Sequence, residues 1–171
     1  MPVSTFENSS DRTMRFVIEP NQEEYDLPPL ARIGVKYAFG PDSNDRVLAD
    51  IGEREIRFWC DSRQRQVEIV HPYAFDRLLW DICVHQGCCG GVVDGEPVHV
   101  TDLLPASGVM TAAQFAELVI QAEGEADAAP ASIAQWTARL SALFVQHMGG
   151  ESAPVEALAG NFAQPFDADY L

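Results

Sequence analysis

Cationic side chains are what this chain has least of. Its 171 residues hold 11 Lys+Arg against 26 Asp+Glu, a formal net charge of -15, and Lys36 is the single lysine. The shortage is uneven. From Met1 to Val70 nine basic residues face thirteen acidic ones, net -4. From His71 to Leu171 only Arg77 and Arg139 oppose thirteen carboxylates, net -11. A lobe this poor in positive charge repels phosphate backbones and anionic lipid and attracts cationic surfaces. Nucleic acid and membranes are thereby excluded as expected partners, and a basic protein is favoured.

Long apolar runs are missing as well. None approaches the roughly 18 residues that suggest a membrane span. The N-terminus, Met-Pro-Val-Ser-Thr-Phe-Glu-Asn-Ser-Ser-Asp, lacks the basic start and apolar stretch of a secretory signal, so the expected compartment is the cytoplasm. The four cysteines, Cys60, Cys83, Cys88 and Cys89, are too few and too clustered for a secreted disulfide framework, and reduced thiols are expected. There is no G-x-S-x-G, P-loop, dinucleotide fingerprint or HExxH. Asp42-Ser-Asn-Asp lacks the glycine at the sixth position of a calcium loop, where Val47 stands. No internal repeat is visible.

What is present is a folding chain. Its 47% hydrophobic content is too high for an acidic disordered segment, and its length suffices for one domain with a core. Residues 1–12 read as a disordered leader, 13–160 as a single domain and 161–171 as an acidic-aromatic tail. Met14–Glu19 reads as a strand. In Ala31–Phe39 the residues Ile33, Val35, Tyr37 and Phe39 alternate with Arg32, Gly34, Lys36 and Ala38, the period of a half-buried strand. Arg46–Ile51, Arg54–Cys60 and Gln66–His71 repeat that period across short turns, which favours an antiparallel meander.

After Pro72 the period becomes helical. Phe75, Leu78, Leu79 and Ile82 share one stripe of a helix over about 73–86. Asp94-Gly95 between Val92-Val93 and Val98-His99-Val100 is a type I′ hairpin signal. Thr111-Ala-Ala-Gln114 has capping-box order and opens a second helix. Pro130 begins the third, with Ile133, Trp136, Leu140, Leu143, Phe144 and His147 at three- and four-residue steps. The expected fold class is α+β: an antiparallel β-meander with three or four helices packed on one face. Ile33, Val35, Tyr37, Phe58, Ile69, Leu78, Leu79, Ile82, Phe115, Leu118, Trp136, Leu140 and Phe144 are the expected core, joining sheet to helices.

Two constellations carry chemistry. The first is Cys83-Val-His-Gln-Gly-Cys-Cys-Gly-Gly with the nearby His99. Its thiols and imidazoles are of the types that hold zinc or act as nucleophile and base. Adjacent Cys88-Cys89 make poor simultaneous ligands, however. A thiol behind a helix C-terminus also faces the end of the dipole that disfavours a thiolate. No metal or other cofactor is expected.

The second constellation is the charge itself. Its acids fall in loops, at Asp94, Glu96 and Asp102 and at Glu123, Glu125 and Asp127, while the tail sets Phe162, Phe166 and Tyr170 beside Asp167 and Asp169. Acids around aromatics suit docking on a basic, partly apolar groove. The expected function is a non-catalytic acidic binding protein, an inhibitor of bacterial immunity or antitoxin type that masks a basic partner such as a toxin. Its expected partner-binding residues are Asp94, Glu96, Asp102, Glu123, Glu125, Asp127, Phe162, Phe166 and Tyr170. The alternatives are a thiol- or zinc-dependent enzyme using residues 83–99, and a structural or adaptor subunit.

Overall fold

The computed structural model describes residues 1–38, 47–62, 64–85, 89–126, 128–158 and 163–166. The class is α+β, with mixed sheets and, among the described residues, three α-helices. The chain divides into two compact units, Met1–Pro72 with the tail and Tyr73–Asn161. The boundary falls inside the span expected to be one domain. It coincides with the change of apolar period from two to about 3.6.

The first unit holds β1 (Val3–Glu7), β2 (Met14–Glu19), β3 (Glu23–Leu27), β4 (Arg32–Tyr37), β5 (Leu48–Ile51), β6 (Glu55–Trp59) and β7 (Arg65–Val70). They form two sheets, ordered β1-β4-β7 and β3-β2-β6-β5. The alternation of β4 buries Ile33, Val35 and Tyr37, and β6 buries Ile56 and Phe58 with Cys60 just beyond. These side chains join Phe16, Ile18 and Leu27 in one core. Rings from both sheets meet there, with Phe6 5.4 Å from Phe58 and Tyr37 6.1 Å from Phe58 between centroids.

Strand pairing departs from a simple meander. Among the four strands expected in sequence, β5 and β6 are the one consecutive pair that lies side by side; β4 pairs with β1 and β7, and β2 runs parallel to β6. Short connections suggested the meander, but burial of Phe16 and Ile18 beside Ile56 and Phe58 places β2 at the centre of its sheet. The expected leader is corrected too. Val3–Glu7 pairs antiparallel with Arg32–Lys36, its Phe6 ring packs 5.2 Å from that of Phe16, and Glu7 binds Arg32 at 2.6 Å.

Asn8 shows why this segment is ordered. Its side chain is completely buried and donates to the carbonyls of Arg12 and Leu27 at 2.6 and 2.7 Å, while its Oδ1 accepts from the backbone and hydroxyl of Ser10. Replacing Asn8 with alanine takes its donor from the buried Leu27 carbonyl, so we expect a loss of about 1–3 kcal/mol in a denaturant titration. A change of only a few tenths would mean that Asn8 does not organise the segment.

The second unit holds α1 (Ala74–His85), β8 (Gly90–Val93), β9 (Glu96–His99), β10 (Val109–Thr111), α2 (Ala112–Ala122), α3 (Pro130–Met148) and β11 (Ser152–Pro154). A 3₁₀ turn, Val100–Leu103, follows β9. The expected capping box is formed: Gln114 N–H donates to Thr111 Oγ1 at 3.3 Å, and Thr111 N–H to Gln114 Oε1 at 2.9 Å. The expected hairpin is formed as well. Asp94 and Gly95 both have positive φ, 53° and 86°, as a type I′ turn requires, and Val93 faces Glu96.

Phe75, Leu78 and Ile82 of α1, Phe115 and Val119 of α2, and Leu140 and Phe144 of α3 close a core of their own. Among the described residues, the buried members of the first cluster lie between Met14 and Cys60 and those of this one between Phe75 and Leu158. Leu79, Leu118 and Trp136 pack at its edge, partly exposed. Among the described residues no helix is long and apolar enough to cross a membrane.

Candidate protein-binding site

Between Tyr73 and Asn161 two arginines face eleven carboxylates. In the first unit arginine answers many of the acids: Glu7 meets Arg32, Glu19 meets Arg57, Glu23 meets Arg65, Glu24 meets Arg15, and Glu55 meets both Arg15 and Arg57. In the second, leaving Glu123 aside, Asp81 alone among the described carboxylates has an ion-pair partner, and its partners are histidines. Uncompensated charge is thus concentrated in one unit, on exposed side chains.

The fold brings part of that charge together. Gly91 in β8 lies so close to the end of α2 that a Cβ there would sit 3.0 Å from the carbonyls of Ala122 and Glu123. The hairpin therefore rests directly on the turn that follows α2. Asp94 and Glu96 are thus carried by the hairpin that meets the turn bearing Glu123 and Glu125, and Val92, beside Gly91 in β8, turns its side chain to the opposite face. Asp94, Glu96 and Glu125 are exposed, Glu123 is half-buried, and Val92 leaves 67% of its surface in solvent.

Asp102 follows on the 3₁₀ turn. Its carboxylate accepts the His99 amide at 2.9 Å yet stays exposed. Val92 was not foreseen as an exposed residue. Its alternation with the half-buried Gly91 and Val93 is the signal, since a two-residue period in a hairpin leaves every second side chain outward.

One of the three tail aromatics expected at the site is described. Phe166 belongs to the first unit, where its amide donates to Glu68 at 2.5 Å and the Lys36 ammonium sits 5.6 Å from its ring centre. Asp127, Phe162 and Tyr170 lie outside the described residues.

Among the described residues of the enzyme alternative, the Cys83 and Cys89 sulfurs lie 3.4 Å apart while the histidines engage other groups; Cys88 lies outside the described residues. Cys83 and His85 are two positions apart on α1, which turns their side chains to nearly opposite flanks. His85 Nε2 lies 3.3 Å from Asp81, whose other oxygen is 2.8 Å from His147 Nε2. His147 is thus the hydrogen-bonded histidine that its apolar helix face implied. Arg139 donates to the His85 carbonyl at 3.2 Å, answering the end of α1. Cys89 is buried and donates to the Leu79 carbonyl at 3.3 Å, whereas exposed His99 caps the 3₁₀ turn through Thr101. Among the described residues no three His, Cys, Asp or Glu side chains are grouped to hold a metal ion.

A second recess, in the first unit, escaped sequence reasoning. It is a polar hollow of about 420 Å³ lined by Asn21, Glu23, Tyr25, Ser62, Arg65 and Val67. Arg65 is nearly buried and bonded to Glu23, so the hollow presents a satisfied ion pair. The hydrogen bond from Arg65 holds the Glu23 carboxyl below the usual carboxylate range, while burial pushes the Tyr25 hydroxyl up. A carboxyl depressed by folding contributes stability above its unfolded pKa of about 4.3 and loses it as the pH falls through the lower folded value. Glu23→Gln should therefore flatten the acid side of the stability–pH curve below about pH 4.3, measured by denaturation midpoints. An acid limb identical to that of the wild type would contradict the pairing.

Compared with known proteins, the chain matches no family model, no curated protein and no solved structure.

Proposed function

We propose that the protein is a non-catalytic acidic binding protein that masks a basic protein partner through the hairpin and α2-end region, as an inhibitor of immunity or antitoxin type does. The observation that carries this is the contact of the hairpin bearing Asp94 and Glu96 with the turn bearing Glu123 and Glu125, made through Gly91, in a unit with two arginines for eleven carboxylates. Carboxylates of one sign at a rim accelerate encounter with a cationic surface, and an apolar centre excludes water once contact is made. The proposed footprint is Asp94, Glu96, Asp102, Glu123 and Glu125, with Val92 where an aromatic centre was expected.

The test begins with capture on the immobilised chain, followed by identification and purification of the bound protein. A strongly basic partner, bound at a rate that falls steeply with added salt, is expected. An acidic or neutral partner bound equally fast at high salt would overturn the proposal.

A further inference from the structure

We propose that Cys83 and Cys89 form a reversible dithiol–disulfide couple that ties the last turn of α1 to the start of β8, with oxidised glutathione or another small disulfide as oxidant. The inference is independent of the docking proposal. Their sulfurs are 3.4 Å apart, in van der Waals contact. A disulfide bond of about 2.05 Å requires them to approach by roughly 1.4 Å more. Cys83 is exposed, so its side chain has room to make that approach, while Cys89 is held with 2% of its surface accessible and its thiol directed at the Leu79 carbonyl.

The difference in exposure sets the order of events. The Cys83 thiolate attacks one sulfur of glutathione disulfide, forming a mixed disulfide and releasing one glutathione thiolate. Buried Cys89 is shielded from a tripeptide disulfide but stands beside Cys83. After giving up its proton to solvent, its thiolate attacks the Cys83 sulfur and expels the second glutathione. Two protein thiols are oxidised, one glutathione disulfide is reduced to two thiols, and no oxygen or metal is needed. Reduced glutathione reverses both steps.

The experiment equilibrates the full-length chain in glutathione buffers of increasing oxidised fraction. The products are then quenched by alkylation and read by intact and peptide mass spectrometry. Wild type and Cys88→Ser should each lose two thiols per chain as a monomer, retain no glutathione, and yield one peptide pair joined through Cys83 and Cys89. Cys89→Ser should stop at a single glutathione on Cys83, and Cys83→Ser should leave Cys89 unmodified. Because Cys83 is exposed, wild type and Cys83→Ser decide the matter even if Cys89→Ser fails to fold. Retained glutathione as the wild-type end product, a crosslink through Cys88, or an unchanged thiol count would overturn the proposal.

Discussion

Truncating Phe115 to alanine should destabilise the protein by about 3–5 kcal/mol, the range for emptying an aromatic site in a closed core. Its ring is fully buried at the meeting point of all three helices, 6.0 Å from Phe75 and 5.3 Å from Phe144 between centroids. Neither neighbour can collapse into the space without leaving its own contacts. Val92→Ala supplies the contrast: its side chain is mostly in solvent, and a surface change of that kind shifts stability by no more than about 0.5 kcal/mol. Denaturant midpoints of the two variants measure the difference directly. A loss below about 1 kcal/mol for Phe115→Ala would mean that the helices do not share one core.

Neutralising the rim should have the largest effect on binding. In the variant Asp94→Asn, Glu96→Gln, Glu123→Gln, Glu125→Gln, association with the captured basic partner should slow by on the order of tenfold or more, since steering raises on-rates by about 10–10³. Dissociation should change much less, because exposed rim charges act mainly during encounter. Val92→Ala should do the reverse, speeding dissociation while leaving association nearly unchanged. Stopped-flow or surface-based kinetics separate the two constants. Equal effects of both variants on dissociation alone would remove the distinction between rim and centre.

Local signals in the sequence carried over into the structure where a few adjacent residues decide the geometry. Thr111 and Gln114 cap α2 within three residues, Asp94-Gly95 turns its hairpin, and the Leu140 and Phe144 stripe is a property of one helix. Pairing between distant strands was not legible. Nothing near Met14–Glu19 announces a parallel partner at Glu55–Trp59, because that choice depends on which apolar faces meet after β3, β4 and β5 have been placed. Strand β3, Glu-Glu-Tyr-Asp-Leu, gives a weak local signal because it is an edge strand that buries only Leu27 fully.

Within the candidate site, the charge was visible from composition and its location in loops from turn residues. The contact between hairpin and helix end was not. It depends on Gly91 letting the backbone of β8 approach the carbonyls of Ala122 and Glu123, a tertiary fact with no local signature. In the tail, too, the partners are distant. Its aromatics and acids look like a docking segment in isolation, but Phe166 is engaged by Glu68 and Lys36, which lie far from it in the chain.

The most direct test of the docking surface is the salt dependence of association for two equally neutralised variants. One removes the carboxylates of Asp94, Glu96, Glu123 and Glu125; the other removes those of Asp26, Asp50, Glu53 and Asp61, exposed acids of the first unit. Association rates with the captured partner are measured from about 0.01 to about 1 M salt, over which the Debye length falls from about 30 to about 3 Å. Both variants lose the same formal charge, so a general effect of net charge would lower the two rates alike. The expected result is a much flatter salt dependence for the first variant and a nearly native one for the second. Equal slopes for the two variants, or a wild-type rate indifferent to salt, would contradict the assignment of binding to the hairpin and α2-end region.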